Sequence, residues 1–177
     1  MQPKASWRPM QASDLPAVIQ IAAQVHPGYP EDEAIFIERQ RLYPQGCWVR
    51  QHAGQLCGYL ISHPWELGTP PSLNSMLHAL PNLASSYYLH DIALLPTARG
   101  TNATGEILAH LHAHALGAGL CNLSLIAVNQ SSHFWQKQRF QPANHLVPAA
   151  KLSSYDVDAC YMVRTLTSPS IQKSITA

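Results

Sequence analysis

The chain has 177 residues, with 11 Lys and Arg against 10 Asp and Glu, a formal net charge of +1 with His neutral, and a hydrophobic share of 46%. So even a balance supplies neither the cationic surplus that nucleic-acid backbones require nor the acidic excess of a solvating tail. The apolar content suffices for an ordinary core and excludes disorder over the whole chain, and no stretch approaches the ~20 apolar residues of a membrane span.

The opening Met1-Gln2-Pro3-Lys4-Ala5-Ser6-Trp7 has no apolar run behind its single Lys, so a cytoplasmic protein with no membrane or nucleic-acid partner is expected. Cys47, Cys57, Cys121 and Cys160 form no Cys-x-x-Cys pair and read as small, buried, reduced thiols.

Trp7-Arg8-Pro9-Met10 is a short edge-like piece. Ser13 and Asp14 then open an apolar series at Leu15, Val18, Ile19, Ala22 and Val25, whose spacing predicts a helix over 13–25. His26-Pro27-Gly28-Tyr29-Pro30 breaks it. Glu31-Asp32-Glu33, acids suited to the positive end of a helix, start a second one with Ile35, Phe36, Arg39 and Leu42 that Pro44 stops. Antiparallel strands over 47–51 and 55–63 flank the turn His52-Ala53-Gly54. The stretch 64–81, with Gly68, Pro70, Pro71 and a modest apolar series at Leu73, Met76, Leu77 and Leu80, predicts a long loop carrying a short helix. Loops of that length inside a compact domain are usually functional. Residues 87–95 are a continuous apolar run interrupted by His90 and Asp91, which predicts a central strand with two polar side chains.

After Arg99-Gly100, residues Ile107, Leu108, Leu111, Ala115 and Ala118 share one helix face, and Gly117 and Gly119 close the helix. A buried strand over 123–128, a short helix over 131–138 anchored by Phe134 and Trp135, and a last strand over 157–166 complete an α/β chain with a mixed sheet. One domain over 1–166 and a flexible tail over 167–177 are expected. His110, His112 and His114 suggest metal, but His112 lies ~200° around the helix from His110, and no His-Glu-x-x-His pattern is present. They read as solvent-exposed positions, with no metal site, and a metal hydrolase ranks third among the functional readings.

The informative stretch runs from Leu89 to Gly105, a strand leading through an Arg-Gly turn into an amphipathic helix. Such a helix start exposes unpaired amides and a partial positive charge, a seat for phosphate to which Arg99 adds a cation. Neither Gly-x-x-x-x-Gly-Lys-Ser/Thr nor Gly-x-Gly-x-x-Gly occurs, which argues against a triphosphatase loop or a dinucleotide fingerprint.

Arg99, Gly100, Thr101, Asn102, Ala103 and Thr104, with Asn129, Trp135 and Phe140 further on, resemble the Arg/Gln-x-x-Gly-x-Gly/Ala loop and Asn-aromatic helix of the GNAT superfamily of N-acetyltransferases. The resemblance covers Trp7 to Leu166. It implies a central, mostly antiparallel mixed sheet flanked by helices, with acetyl-CoA as co-substrate in the splayed edge between two central strands. The strand backbone from Ile92 through Ala93 to Leu94 would meet the pantetheine arm, and the amides from Arg99 through Gly105 would hold the pyrophosphate. Asn129 and Trp135 would line the other wall. Asn102 and Thr104 stand where that superfamily usually has glycine; Asn tolerates unusual backbone angles, whereas β-branched Thr is expected to bring bulk toward the phosphates. Trp135 stands where the superfamily often has a Tyr proposed as general acid, and an indole N–H donates a hydrogen bond but supplies no proton.

The implied reaction is direct acetyl transfer to a primary amine of a small molecule or peptide. An alkyl ammonium near pKa ~10.4 must lose a proton, whereas a thiol near ~8.5 leaves tolerably as thiolate. A base on the central strand is therefore sought. Adjacent His90 and Asp91 point to opposite strand faces, so only one faces the acetyl group; the resemblance favours Asp91, and His90 has the better intrinsic pKa. The alternative for both is a hydrogen-bonded pair that fixes the strand. Glu31, Glu33 and Glu66 could supply acceptor-binding carboxylates, and His63, Trp65, Tyr29 and Phe36 could line a pocket or pack ordinarily. A binding module of the same fold with little turnover is the second functional reading, and a homodimer is left open.

Overall fold

A computed structural model describes residues 4–167, so the expected tail, apart from Thr167, lies outside the described residues. The strands are β1 (Ser6–Pro9), β2 (Cys47–His52), β3 (Gln55–Trp65), β4 (Ser86–Leu94), β5 (Asn122–Ala127), β6 (Gln141–Pro142) and β7 (Cys160–Thr165). The helices are α1 (Leu15–Val25), α2 (Glu33–Leu42), α3 (Ala103–Gly117), α4 (Ser132–Lys137) and α5 (Ala149–Ser153). The strands form one sheet in the order β1-β2-β3-β4-β5-β7-β6. β1, β2 and β3 pair antiparallel, as do β5, β7 and β6. The bonds Leu95 N–H to Cys57 O and Ser85 N–H to Trp65 O run in opposite chain order, so β4 is antiparallel to β3. β4 and β5 are parallel, registered at Tyr87 with Leu123 and at Tyr88 with Ser124. The sheet is thus mixed and mostly antiparallel, as the resemblance implied.

The described residues form two compact units, 4–63, 71–80 and 89–107 in the first, and 64–70, 81–88 and 108–167 in the second. In the first, Met10, Leu15, Val18, Ile21, Phe36, Cys47, Val49, Tyr59, Ile61 and Ala93 form the core, because the apolar face of α1 and the inward positions of β2 and β3 have no other way to leave water. Ile19, Ala22 and Val25 pack at its margin. In the second, Ala143, Val147, Leu152 and Tyr161 cluster. α3 buries Ala103, Thr104, Ile107, Leu108, Leu111 and Ala115. It ends in a Schellman-type turn, with Leu120 N–H bonded to Ala115 O and Gly119 at φ +78°.

Several expectations need correcting. Residues 66–85 hold no helix, because the positive φ of Asn74 (+49°) and His78 (+62°) breaks the helical path through the apolar series. Ala118 lies past the end of α3 and is exposed. Phe134 is 44% exposed, so Trp135 alone anchors α4, packed edge-on against Phe140. Val157 is exposed and β7 begins only at Cys160. Cys47 and Cys57 are buried, but Cys121 is exposed and Cys160 half-buried. Burial pushes the Cys47 thiol up to about 12. Of the three helix histidines only His110 is exposed; His114 packs edge-on against Tyr87, and His112 sits within 3.4 Å of Arg164.

Gly58 of β3 lies flat against β4. A Cβ there would stand 2.8 Å from the Ala93 carbonyl oxygen and 2.6 Å from Leu94 Cδ2. Because a strand backbone cannot step aside, Gly58→Ala should cost about 1–3 kcal/mol, read as a lower urea midpoint; an unchanged midpoint would mean that β4 can shift at no cost.

Candidate active site

β4 is a central strand, and the alternation of its side chains sends His90 and Asp91 to opposite faces. Each meets a partner of opposite chemical character within the first unit. His90 Nε2 lies 2.9 Å from Glu31 Oε1, and each side chain is 8% exposed. The His63 ring, itself buried, tilts against that of His90 with centroids 6.3 Å apart. Glu31 stands between α1 and α2, where Pro27, Gly28 and Pro30 hold the chain out of helix. Burial pushes the Glu31 carboxyl up, but the charge and hydrogen bond of His90 outweigh this and hold it below the ordinary carboxylate range.

Asp91 receives two partners. Its Oδ1 lies 3.0 Å from His26 Nε2 and its Oδ2 accepts a short hydrogen bond from the Tyr59 hydroxyl. Burial raises the Asp91 pKa, yet His26 and Tyr59 together leave it lowered. For His26, burial lowers the pKa, but Asp91 and the Ile92 carbonyl, 3.1 Å from Nε2, leave it raised. The Tyr59 phenol is pushed well up by burial and by the Asp91 charge. Phe36 packs edge-on against Tyr59 and is core rather than pocket lining.

His26, Tyr59 and the role of Glu31 were not legible in sequence. His26 looked like part of a helix break, and Tyr59 sits in an apolar strand as any core aromatic would. The only sequence signal was the presence of titratable residues flanking a Pro-Gly break, which is common in ordinary turns. Glu33 is exposed in the first turn of α2.

From β4 the chain passes through a 3-10 turn, Pro96–Ala98, into α3. Thr101 Oγ1 bonds the Ala98 carbonyl, and Gly100 and Asn102 take φ of +72° and +60°. Those angles are why Gly and Asn occupy these two positions. The Asn102 carbonyl accepts the Glu106 amide, so α3 starts immediately after it. Its first turn is braced within the unit, with Trp7 Nε1–H on the Ala103 carbonyl at 2.9 Å and Arg50 Nη1 on Glu106 Oε2 at 2.6 Å. Thr104 is only 8% exposed, so the bulk feared from it is covered by protein instead of standing free at the turn. The Asn102 carboxamide instead lies over Gly105, where a Cβ would run into Oδ1. Arg99 is exposed and its Nε–H donates to the Leu94 carbonyl at 3.1 Å. The carbonyls of Ile92 and Leu94 are thus each engaged by a side chain of the same unit, while Ala93 is buried.

In the second unit, Asn129 has φ +52° and its amide bonds Asp156 Oδ2 at 2.9 Å. Trp135 is 7% exposed between Phe134 and Phe140. Among the described residues, no helix is long and apolar enough to cross a membrane, and no three His, Cys, Asp or Glu side chains are placed to hold a metal ion.

No protein-family model and no curated protein matches the sequence. Solved structures do match the fold. The loading GNATL domain of CurA from Lyngbya majuscula superposes with a TM-score of 0.76 at 11% identity, over 92% of this chain and 98% of that one. The GphF GNAT-like decarboxylase in complex with isobutyryl-CoA gives 0.71 at 16%, over 92% and 100%. The ribosomal-protein-S18-alanine N-acetyltransferase from Escherichia coli gives 0.63 at 18%, over 93% and 96%.

The opposite shifts at His26 and Asp91 define a pH window. Asp91 contributes stability above its ordinary 3.8 and loses it as pH falls through its lower folded value. His26 contributes below its ordinary 6.5 and loses it as pH rises through its higher folded value. Asp91→Asn should therefore cost most between those two ordinary values, about 2 kcal/mol from the hydrogen bonds to a charged group. Denaturation of both proteins across pH 3–9 measures this; a pH-independent difference would show that His26 and Asp91 never carry opposite charges.

Proposed function

We propose that this chain, whose fold is that of the GNAT acyl-CoA N-acyltransferases, is itself an acyltransferase that moves an acetyl group from acetyl-CoA directly to a primary amine. The observation that carries this reading is the build of one continuous segment. From Leu89 onward, β4 carries His90, paired with Glu31, and runs through the Arg99-Gly100 turn into the start of α3, all within the first unit. An amine nucleophile needs a proton acceptor and a diphosphate-bearing thioester needs an anion seat, and this one segment carries a candidate for each.

His90 is the base in this proposal, and Glu31 orients its ring. With Nε2 against Glu31, the His90 imidazole takes the proton of the incoming ammonium. Asp91 suits the task less. Its lowered pKa and two donors make it a weak base, and its part is to hold His26 and Tyr59 against β4. The freed amine attacks the thioester carbonyl carbon, amides of Ile92 to Leu94 steady the oxyanion, and the C–S bond breaks to release the thiolate, which takes up the second proton shed by the new amide nitrogen. No acid is required at Trp135, because the thiolate leaves unaided. The turn from Arg99 to Gly105 would take the pyrophosphate, with Arg99 released from the Leu94 carbonyl to meet it.

A binding module with little turnover is the second reading. It is favoured by the Asn102 carboxamide over Gly105, which covers part of the first turn of α3. Acetyl-CoA at 100 times its Kd should stabilise the protein by about 2.7 kcal/mol in either case. Thiol release over a panel of amines separates them, with isobutyryl-CoA as a second donor to test the acyl group. Steady release supports the transferase; stabilisation without release supports the module; neither sinks both. His90→Ala should lower kcat by about 10²–10³-fold, within the usual range for a general base, with the KM for acetyl-CoA little changed.

A further inference from the structure

The connection from β3 to β4 is anchored to α2 by charges that have been taken out of water. Glu38 and Arg39 are 1% and 2% exposed and pair at 2.5 Å. Glu38 also accepts the amides of Leu77 and His78, each at 2.8 Å, and Arg39 Nη2 donates to the Ser75 carbonyl at 2.8 Å. Burial raises the Glu38 carboxyl pKa, but these donors leave it lowered. A buried ion pair gains little unless its remaining lone pairs and protons are met, and here a passing segment of backbone meets both Glu38 oxygens and Arg39 Nη2. Residues 74–78 are therefore held as a strap with a positive-φ residue at each end.

The front of that strap reaches the candidate site. Asn74 N–H donates to Glu31 Oε2 at 3.2 Å, while the other oxygen of the same carboxylate holds His90. The Asn74 side chain clasps the next residue, accepting the Asp32 amide at Oδ1 (2.7 Å) and donating from Nδ2 to Asp32 Oδ2 (3.3 Å). Asn74 thus fixes the backbone on one side of Glu31 and one of its oxygens on the other.

We propose that Asn74 is a positioning residue that acts through Glu31 on His90, so that the strap sets the orientation of the imidazole. The inference deepens the transferase reading and rests on it only for its catalytic consequence. Asn74→Gly tests it, since Asn74 is exposed and glycine accepts φ +49° without strain. The substitution removes both side-chain bonds to Asp32.

Two measurements decide the matter. The first needs no substrate: imidazole ¹⁵N spectra of the whole protein, with His90→Ala for assignment. In Asn74→Gly the His90 ring nitrogens should move in the direction they move in Glu31→Gln, with the melting temperature essentially kept. Unmoved nitrogens would overturn the proposal. The second is a double-mutant cycle on amine acetylation. Asn74→Gly should lower kcat about tenfold at unchanged KM for acetyl-CoA, and should do nothing further in a Glu31→Gln background, because coupled residues are not additive. Effects that simply multiply would overturn it. If the unaltered protein turns over no acyl-CoA, the transferase reading fails, and the ring spectra alone decide whether Asn74 positions His90.

Discussion

Two carboxylates close to one strand have been partly withdrawn from water, and each is tolerable there only because an imidazole meets it. Glu31 faces His90, and Asp91 faces His26 with the Tyr59 hydroxyl completing its shell. The cost of leaving either carboxylate buried and alone would be several kcal/mol. That requirement ties the end of α1, the segment before α2, and β3 to β4 at fixed points. The local structure follows from it: the α1–α2 connection cannot float while both of its ends, His26 and Glu31, are committed to the same strand.

Equal chemistry in the two pairs does not mean equal roles. Asp91 spends both of its oxygens on donors, so its ionised form is held and its basicity falls. His90 has one ring nitrogen on Glu31, the arrangement in which a carboxylate orients the ring and fixes its tautomer. Two adjacent polar residues in an apolar strand thus meet different partners because the strand sends them to opposite faces.

The turn into α3 follows a second logic. Its positive-φ positions are occupied by Gly100 and Asn102, and its flank is braced by Trp7 and Arg50 from the neighbouring strands of the first unit. Glu106 in the first turn would by itself oppose an anionic ligand, but Arg50 meets its charge. The helix start therefore keeps its electropositive character although an acid sits on it.

Local pattern alone determined most of the secondary structure: the 3.6-residue spacing in α1 and α3, the hairpin of β2 and β3, and the apolar run of β4 each carry their periodicity in adjacent residues. It also singled out His90, Asp91 and the turn from Arg99 to Thr104, because polar residues in an apolar strand and small residues before a helix stand out against their neighbours. The partners were beyond its reach. His26 lies 65 positions and Glu31 lies 59 positions from the residues they meet, and Asn74 lies 43 from Glu31. Nothing in the intervening sequence encodes those distances. Which carboxylate receives which imidazole, that Thr104 turns into the protein, and that residues 74–78 form an anchored strap and not a helix were decided by tertiary packing, since a buried charge takes whatever donor the fold brings to it.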